Sequence, residues 1–350
     1  MKALRWHGPY DVRVEEVEEP SLKTEGDAIV RTTTAAICGT DLHIYRGELA
    51  VVPGDTVGHE FMGVVEKVGR GVKRFSEGDR VVVSAIVADG RCWFCRHQLY
   101  TQCENINIFG MGPVYGESLG GAFAESVRVP NADTVLIKAP DRIPDDRLVM
   151  VGDGLATGYD AVVNAGVKPG DVVAIVGSGP VGLVSGMCAE VFGASEVVVV
   201  GRSWERLEAA RSLGFRTVNA READPADEVR SLTDGRGADV VIEAVGRSSD
   251  SLMNAINIAR RKGTVSVVGF HLHDYTIPMG QLWLLEKKLV FSLGNAIKNG
   301  ETLIRLIERG RLDSSRIVTH RLPLEEAPRG FELLESKKAV KVLLQMGGKR

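Results

Sequence analysis

The sequence predicts an α/β chain: a β-rich, barrel-type first domain and a doubly wound second domain on a six-stranded parallel sheet. Three observations support this. Residues 1–150 read as short β runs broken by turns. After Lys168-Pro169-Gly170 the texture changes to apolar strands alternating with helical segments. The first of those strands runs into a glycine-rich turn that opens a helix.

In the first domain, strands are predicted at Ala28–Thr32, Gly63–Val68 and Arg80–Ser84, the last following the turn Gly78-Asp79. In the second they are predicted at Val172–Val176, Glu196–Val200, Arg216–Val218, Asp239–Glu243, Thr264–Val268 and Leu289–Leu293. Helical patterns lie between them at Trp204–Leu213, closed by Gly214, and at Ser248–Arg261, closed by Gly263. Glycine is the usual residue just past a last helical turn. The tail predicts helices over Glu301–Arg309 and Leu324–Leu334, a strand over Ala339–Gln345, and a solvated end at Lys349-Arg350. The second domain therefore reads as an insertion, with the C-terminus returning to complete the first.

The 350 residues suit about two domains. At 44% hydrophobic and 25% charged, they hold enough apolar material for a sizeable core. A net charge of −3 gives no electrostatic reason for a nucleic-acid or membrane partner. Val172 to Ala189 is uncharged for the length of a minimal membrane span, but Gly177, Gly179, Pro180, Gly182 and Gly186 interrupt it. A strand, a glycine turn and a buried helix explain it better. The opening MKALRWHGPYDVRVEE has no apolar core of the secretory kind, so a cytoplasmic chain is expected.

The turn Gly177-Ser178-Gly179-Pro180-Val181-Gly182 matches a dinucleotide fingerprint in its proper setting, after a strand and opening a helix. The first glycine makes the turn, the second lets backbone approach a pyrophosphate, and the third packs helix on strand. Helix N-terminal amides then attract the phosphates. Pro180 suits the first helical turn. An NAD site usually ends its second strand on a carboxylate that binds the adenosine ribose. Here that place holds Gly201, then Arg202 and Ser203, with Arg206 a turn on. Arg202 can clamp a 2′-phosphate with its planar fork, so NADP(H) is expected over NAD(H). The other reading makes Gly201 a plain turn and Arg202 a solvated side chain.

Five cysteines, an odd number and mostly clustered, point to metal before disulfides. Cys188 is the exception: among small and apolar neighbours on a helix, it reads as a buried core thiol. Two groups remain. One holds Cys38, Thr40, His43, His59 and Glu60. The other is Asp89-x-x-Cys92-x-x-Cys95-x7-Cys103, with His97 as a substitute ligand should Asp89 not serve. Three cysteines in this register suit a closed zinc site, and a lobe without metal is the alternative. His7, His271, His273 and His320 have no partner pattern that singles them out.

The run GHE-x-x-G-x-V-x-x-V-G from Gly58 to Gly69, the GDRV turn at Gly78–Val81, Thr157-Gly158-Tyr159 and the GSGPVG turn occur together. By these motifs the sequence resembles, over essentially its whole length, the zinc alcohol dehydrogenase branch of the medium-chain dehydrogenase/reductase superfamily. The resemblance implies a GroES-like catalytic domain over 1–153, a Rossmann domain over 154–295 and a returning segment over 296–350. It implies a catalytic zinc on Cys38 and His59, with Glu60 as a resting-state or outer ligand. Many relatives supply a third ligand from a cysteine; here Asp153 stands in that place, as in some secondary-alcohol and formaldehyde dehydrogenases. Thiolate, imidazole and carboxylate leave a neutral three-ligand site with an open position. The resemblance also implies a structural zinc on Asp89, Cys92, Cys95 and Cys103, and a proton relay through Thr40 and His43. Val268, Gly269 and Phe270 would face the nicotinamide, with Ala85, Phe109 and Leu293 lining the pocket.

The expected activity is therefore hydride transfer between an alcohol and NADP(H), interconverting alcohol with ketone or aldehyde, by a homodimer or homotetramer. An NAD-dependent polyol, sugar or formaldehyde dehydrogenase is the close rival. A catalytically silent NADPH-binding protein and a zinc-free quinone reductase are more distant ones. Both lack a reason to keep an open zinc site.

Overall fold

Short charge-free runs of valine, isoleucine and alanine suit central strands, because both of their faces must be covered. Val173, Ala174 and Ile175 have no exposed surface, nor do Val198 and Val199. The computed structural model, which describes residues 1–116 and 118–347, sets such runs side by side. Lys349-Arg350 lie outside the described residues. Two compact units result: residues 157–294, and residues 1–156 together with 295–350.

In the unit 157–294, six parallel strands form one sheet. Their spatial order is Arg216–Asn219, Glu196–Gly201, Val172–Val176, Ala238–Glu243, Ala259–Val267 and Lys288–Phe291. The first strand in sequence is thus central, and the order reverses beside it, where doubly wound folds bind their ligands. The uncharged run resolves into the strand Val172–Val176, the glycine turn and the helix Pro180–Val191. No helix among the described residues is long and apolar enough to cross a membrane.

One helix ends earlier than its pattern predicts. It spans Ser249–Ile258, and Ala259 turns extended to open the next strand, so Gly263 is not its stop. The lysine Lys287 closes the helix instead, donating from Nζ to the carbonyls of Ile256 (2.5 Å) and Ala259 (2.7 Å). A cation suits the negative end of a helix. The last predicted strand also shifts, to Lys288–Phe291.

The other unit is built on a seven-stranded sheet. Its central strand, Ala28–Ile37, runs five residues beyond the predicted end, since an irregularity between Thr32 and Thr34 resets the register and pairing continues. Glu60–Val68 pairs antiparallel with it, and Arg80–Val83 pairs antiparallel with Glu60–Val68. The C-terminal strand Lys341–Gln345 pairs antiparallel with Thr34–Ile37, so the tail does complete this sheet. The units meet along the chain inside the helix Gly154–Ala165, and again before Asn295, which caps the helix Ala296–Glu308. Those points differ slightly from 153 and 296, because Gly154–Ala156 stay with the first unit.

Candidate metal and dinucleotide sites

Strand pairing brings the first group together. Ala36 is opposite Glu60, so Cys38, just past one strand, arrives beside His59, just before the other. Asp153 follows the short turn Val149–Gly152. Cys38, His59 and Asp153 each offer a ligand atom, all within 4.8 Å of one another.

His59 stands between two carboxylates. Its Nδ1 is 3.1 Å from Asp41 Oδ1 and its Nε2 is 3.3 Å from Asp153 Oδ2. Burial works against the charged ring, yet Asp41 and Asp153 outweigh it and hold His59 well above the ordinary histidine value. Burial likewise opposes the Asp153 carboxylate, but His59 and then Lys341 keep it below its usual range. The Cys38 thiol is pushed up by burial and then by the Asp153 charge. A buried imidazole and thiol crowded against a partly exposed carboxylate suit a cation, and a metal can replace the protons they otherwise share. With Nδ1 facing Asp41, Nε2 is the nitrogen left for that metal. The residues fit zinc in kind and number.

Asp41 is a functional candidate missed from sequence. Fully buried, it accepts from the Cys38 backbone N–H through Oδ2 (2.8 Å) and faces His59 through Oδ1. Its place three residues after Cys38, at the start of the helix Gly39–Tyr45, was the available signal. Lys341 is the second. Its Nζ pairs with Glu60 Oε2, and both side chains are buried (1% and 0% exposed). Burial raises Glu60 to about 7 even against the attraction of Lys341. Glu60 therefore belongs to an ion pair and to the Gly154 amide (3.3 Å), outside the three-residue cluster.

Thr40 Oγ1 lies 3.9 Å from Cys38 Sγ. His43 is buried and its Nδ1 is 2.5 Å from Glu48 Oε2, a partially exposed carboxylate. That contact leaves Nε2 as the second proton-carrying atom of the ring. Of the three pocket-lining residues expected, Ala85 and Phe109 (3% and 0% exposed) are core. Phe109 stacks edge-on against Phe61, so its ring is spent on packing, and only Leu293 presents a surface.

The second group also converges: Asp89, Cys92, Cys95 and Cys103 offer ligand atoms within 4.8 Å of one another. Asp89 Oδ1 accepts from the amides of Arg91 (2.8 Å) and Cys92 (2.9 Å), and Oδ2 accepts from Asn105 (2.7 Å). Despite burial, these donors hold its carboxyl well below the usual range. Burial and the neighbouring sulfurs push the Cys95 thiol up. A charged carboxylate and three crowded sulfurs fit a closed zinc site. His97 does not join them; it bonds the Trp93 carbonyl (2.7 Å) and stacks on the Trp93 ring.

In the other unit, Gly177 has a φ of +117°, open to glycine alone at little cost. A Cβ on Gly182 would overlap the Gly177 carbonyl, whereas one on Gly179 would meet nothing within 4 Å. Gly179 is thus the open face of the turn, and it caps the helix Pro180–Val191 carrying Val181. These are the features a pyrophosphate requires. Gly201 is no turn: it ends a strand, and a Cβ there would lie 2.5 Å from Ser178 Oγ and 2.9 Å from Leu207 Cδ2. Arg202 is exposed, Arg206 half-buried, and Ser203 Oγ donates to Glu205 (2.7 Å). Val268 and Gly269 follow the strand Ala259–Val267, and both amides donate to the Glu243 carbonyl (2.9 and 3.0 Å). Phe270 comes next, followed by His271, which pairs with buried Glu243 at 3.0 Å. Cys188 is fully buried and its thiol is pushed up, so it is an inert core residue.

The chain is similar to known proteins in both sequence and fold. The family model described as the alcohol dehydrogenase GroES-like domain matches residues 24–141, and that of zinc-binding dehydrogenases matches 180–309. An uncharacterised zinc-type alcohol dehydrogenase-like protein of Bacillus subtilis is 35% identical over 99% of this chain and 100% of its own. An alcohol dehydrogenase of Cupriavidus necator is 34% identical, covering 89% of each. Among solved structures, an alcohol dehydrogenase from Thermus sp. ATN1 superposes with a TM-score of 0.95 at 40% identity, covering 99% of this chain and 100% of that one.

Proposed function

Because this chain belongs to the zinc-dependent alcohol dehydrogenases of the medium-chain family, we propose that it interconverts a secondary or primary alcohol with its ketone or aldehyde, using NADP(H). The observation that carries this reading is the convergence of Cys38, His59 and Asp153, backed by Asp41. Those three would hold the catalytic zinc. Bound there, zinc makes an alcohol hydroxyl acidic near neutral pH, and the oxidised nicotinamide accepts the hydride. Asp41 fixes the His59 tautomer and ring orientation. Thr40 takes up the hydroxyl proton's hydrogen bond, and His43, braced on Glu48, carries the proton onward to solvent. Asp89, Cys92, Cys95 and Cys103 would hold a second, structural zinc.

NADP(H) is proposed from the strand end. Gly201 has no room for a carboxylate, and exposed Arg202 is free to meet a 2′-phosphate. One observation favours NAD(H) instead: Glu205, tied to Ser203, places a carboxylate three residues after Arg202. An NAD-dependent polyol or formaldehyde dehydrogenase is therefore the second reading. Both are tested by following nicotinamide reduction over primary, secondary and polyol alcohols, with NADP⁺ and NAD⁺ in parallel. Turnover of secondary or primary alcohols with NADP⁺ is expected. Arg202→Ala should weaken NADPH binding roughly 10- to 100-fold and leave NADH nearly unchanged. Equal weakening of both would make Arg202 structural, and faster turnover with NAD⁺ would favour the second reading.

We also propose a homo-oligomer. Lys288–Phe291 is an edge strand, and Phe291 with Trp283 and Leu284 just before it are 72%, 79% and 73% exposed. Such an apolar edge is usually covered. Light scattering should return twice or four times the 37.8 kDa chain mass, and a monomer would refute the proposal.

A further inference from the structure

Among the described residues, few buried polar atoms lack a partner, and two of these share one short loop: His271 Nδ1 and Tyr275 Oη. Their rings meet edge-on, with centroids 5.3 Å apart. Buried polar groups left unsatisfied in a native fold call for an explanation. The sheet register shows what could satisfy these.

Glu243 is opposite Val176 in one neighbouring strand and Val267 in the other. Val176 immediately precedes the glycine turn, so Glu243 stands one strand away from the phosphate cradle. The strand carrying Gly201 and Arg202 lies on the other side of Val172–Val176. A dinucleotide with its pyrophosphate at the turn and its adenosine toward Arg202 must send its other half over the ends of Ala238–Glu243 and Ala259–Val267. Glu243 ties the loops at both of those ends together. Its Oε1 accepts from the amides of Val245 and Gly246 (3.0 Å each), its carbonyl from those of Val268 and Gly269, and its Oε2 faces His271 Nε2 at 3.0 Å.

With Oε1 taken by two amides, Oε2 is the acceptor for the imidazole N–H at Nε2. The lone pair of the neutral ring then sits on Nδ1. We propose that His271 and Tyr275 hold the nicotinamide half of the cofactor, with Glu243 as the brace that aims the imidazole. His271 Nδ1 accepts and the Tyr275 hydroxyl both donates and accepts, a set complementary to ribose hydroxyls and a carboxamide. The assignment rests on the dinucleotide reading above and extends it to two side chains that the glycine motif does not include. His271 and Tyr275 are positioning residues; no proton or hydride passes through them.

The test compares intact cofactor with a fragment that lacks nicotinamide. NADPH and NADH are titrated into the full chain alongside ADP and its 2′-phosphate, which keep the adenosine and pyrophosphate and lack both the nicotinamide and its ribose. Tyr275→Phe and His271→Phe should each weaken the intact dinucleotide roughly 3- to 10-fold. Fragment binding should stay within about twofold, the size of a negligible contact change. Equal weakening of fragment and dinucleotide would reduce the pair to loop packing and overturn the assignment. So would unchanged binding, which would leave the two atoms bridged by water alone. Tyr275→Phe removes a single oxygen and keeps the ring, so the test survives a His271 variant that fails to fold. Wild-type protein that binds neither fragment nor cofactor would bring down the dinucleotide reading itself, and this assignment with it. Binding by wild type with unresponsive variants would sink this assignment alone.

Discussion

Cys38→Ala is expected to lower kcat/KM for the alcohol by about a thousandfold or more. Zinc chemistry of this kind contributes several kcal/mol to the transition state, and about 4 kcal/mol corresponds to that factor. The expectation follows from the cluster itself: Cys38, His59 and Asp153 offer three ligand atoms within 4.8 Å of one another, and removing the thiolate leaves two. Cys38 also begins a helix, but its backbone amide is held by Asp41, so the turn should survive the loss of sulfur. Metal analysis supplies an independent readout. Wild-type protein should carry two zinc ions per chain and Cys38→Ala one, whereas Cys95→Ala should lose the other zinc and keep most of its turnover per folded molecule. Full activity in Cys38→Ala would end the proposed role of the cluster. One zinc in wild type, unaffected by Cys95→Ala, would leave the cysteine lobe metal-free.

The largest stability effect is expected from Lys341→Met. Lys341 and Glu60 are both buried and pair with each other. Removing one member of such a pair typically costs about 3–5 kcal/mol, because the other is left buried without a partner. For a chain of this size that corresponds to a fall in Tm of roughly 4–7 °C. The pH dependence has a definite sign. Burial, only partly offset by Lys341, already raises Glu60 from 4.5 to about 7. An acid raised on folding leaves stability fully present below its unfolded value and lost as pH rises through the folded one. Without Lys341 the carboxyl rises further, so the deficit against wild type should be small near pH 5 and largest above pH 7. Denaturant melts of the metal-stripped protein at both pH values check this. The double variant Glu60→Gln/Lys341→Met should recover much of the loss. A deficit independent of pH would mean that Lys341 contributes through packing alone.

Much of this molecule is legible locally. The glycine turn announces itself because each glycine answers a nearby constraint: a positive φ at Gly177, a close approach at Gly182, an open face at Gly179. The cysteine lobe is equally readable, since its four metal-type side chains lie within fifteen residues and such spacing is a property of the local chain. The central strands show themselves through charge-free β-branched runs. Where local signals compete, the reading slips. Gly263 looks like a helix stop, but a lysine from a later segment closes that helix five residues earlier.

The sequence by itself determined the two-part α/β architecture, the dinucleotide turn and the identity of the metal-type side chains. These depend on periodicity, glycine geometry and ligand chemistry, all of which act over a few residues. The tertiary structure alone decided which partners those side chains keep. Lys341 reaches Glu60 across 281 positions because the C-terminal strand adds to the strand that leads into Cys38. His271 reaches Glu243 because two strands lie side by side in register. Burial raises the stakes of every such pairing, yet it leaves no mark at the residue concerned. A lysine in a strand reads as solvated until the sheet has closed over it.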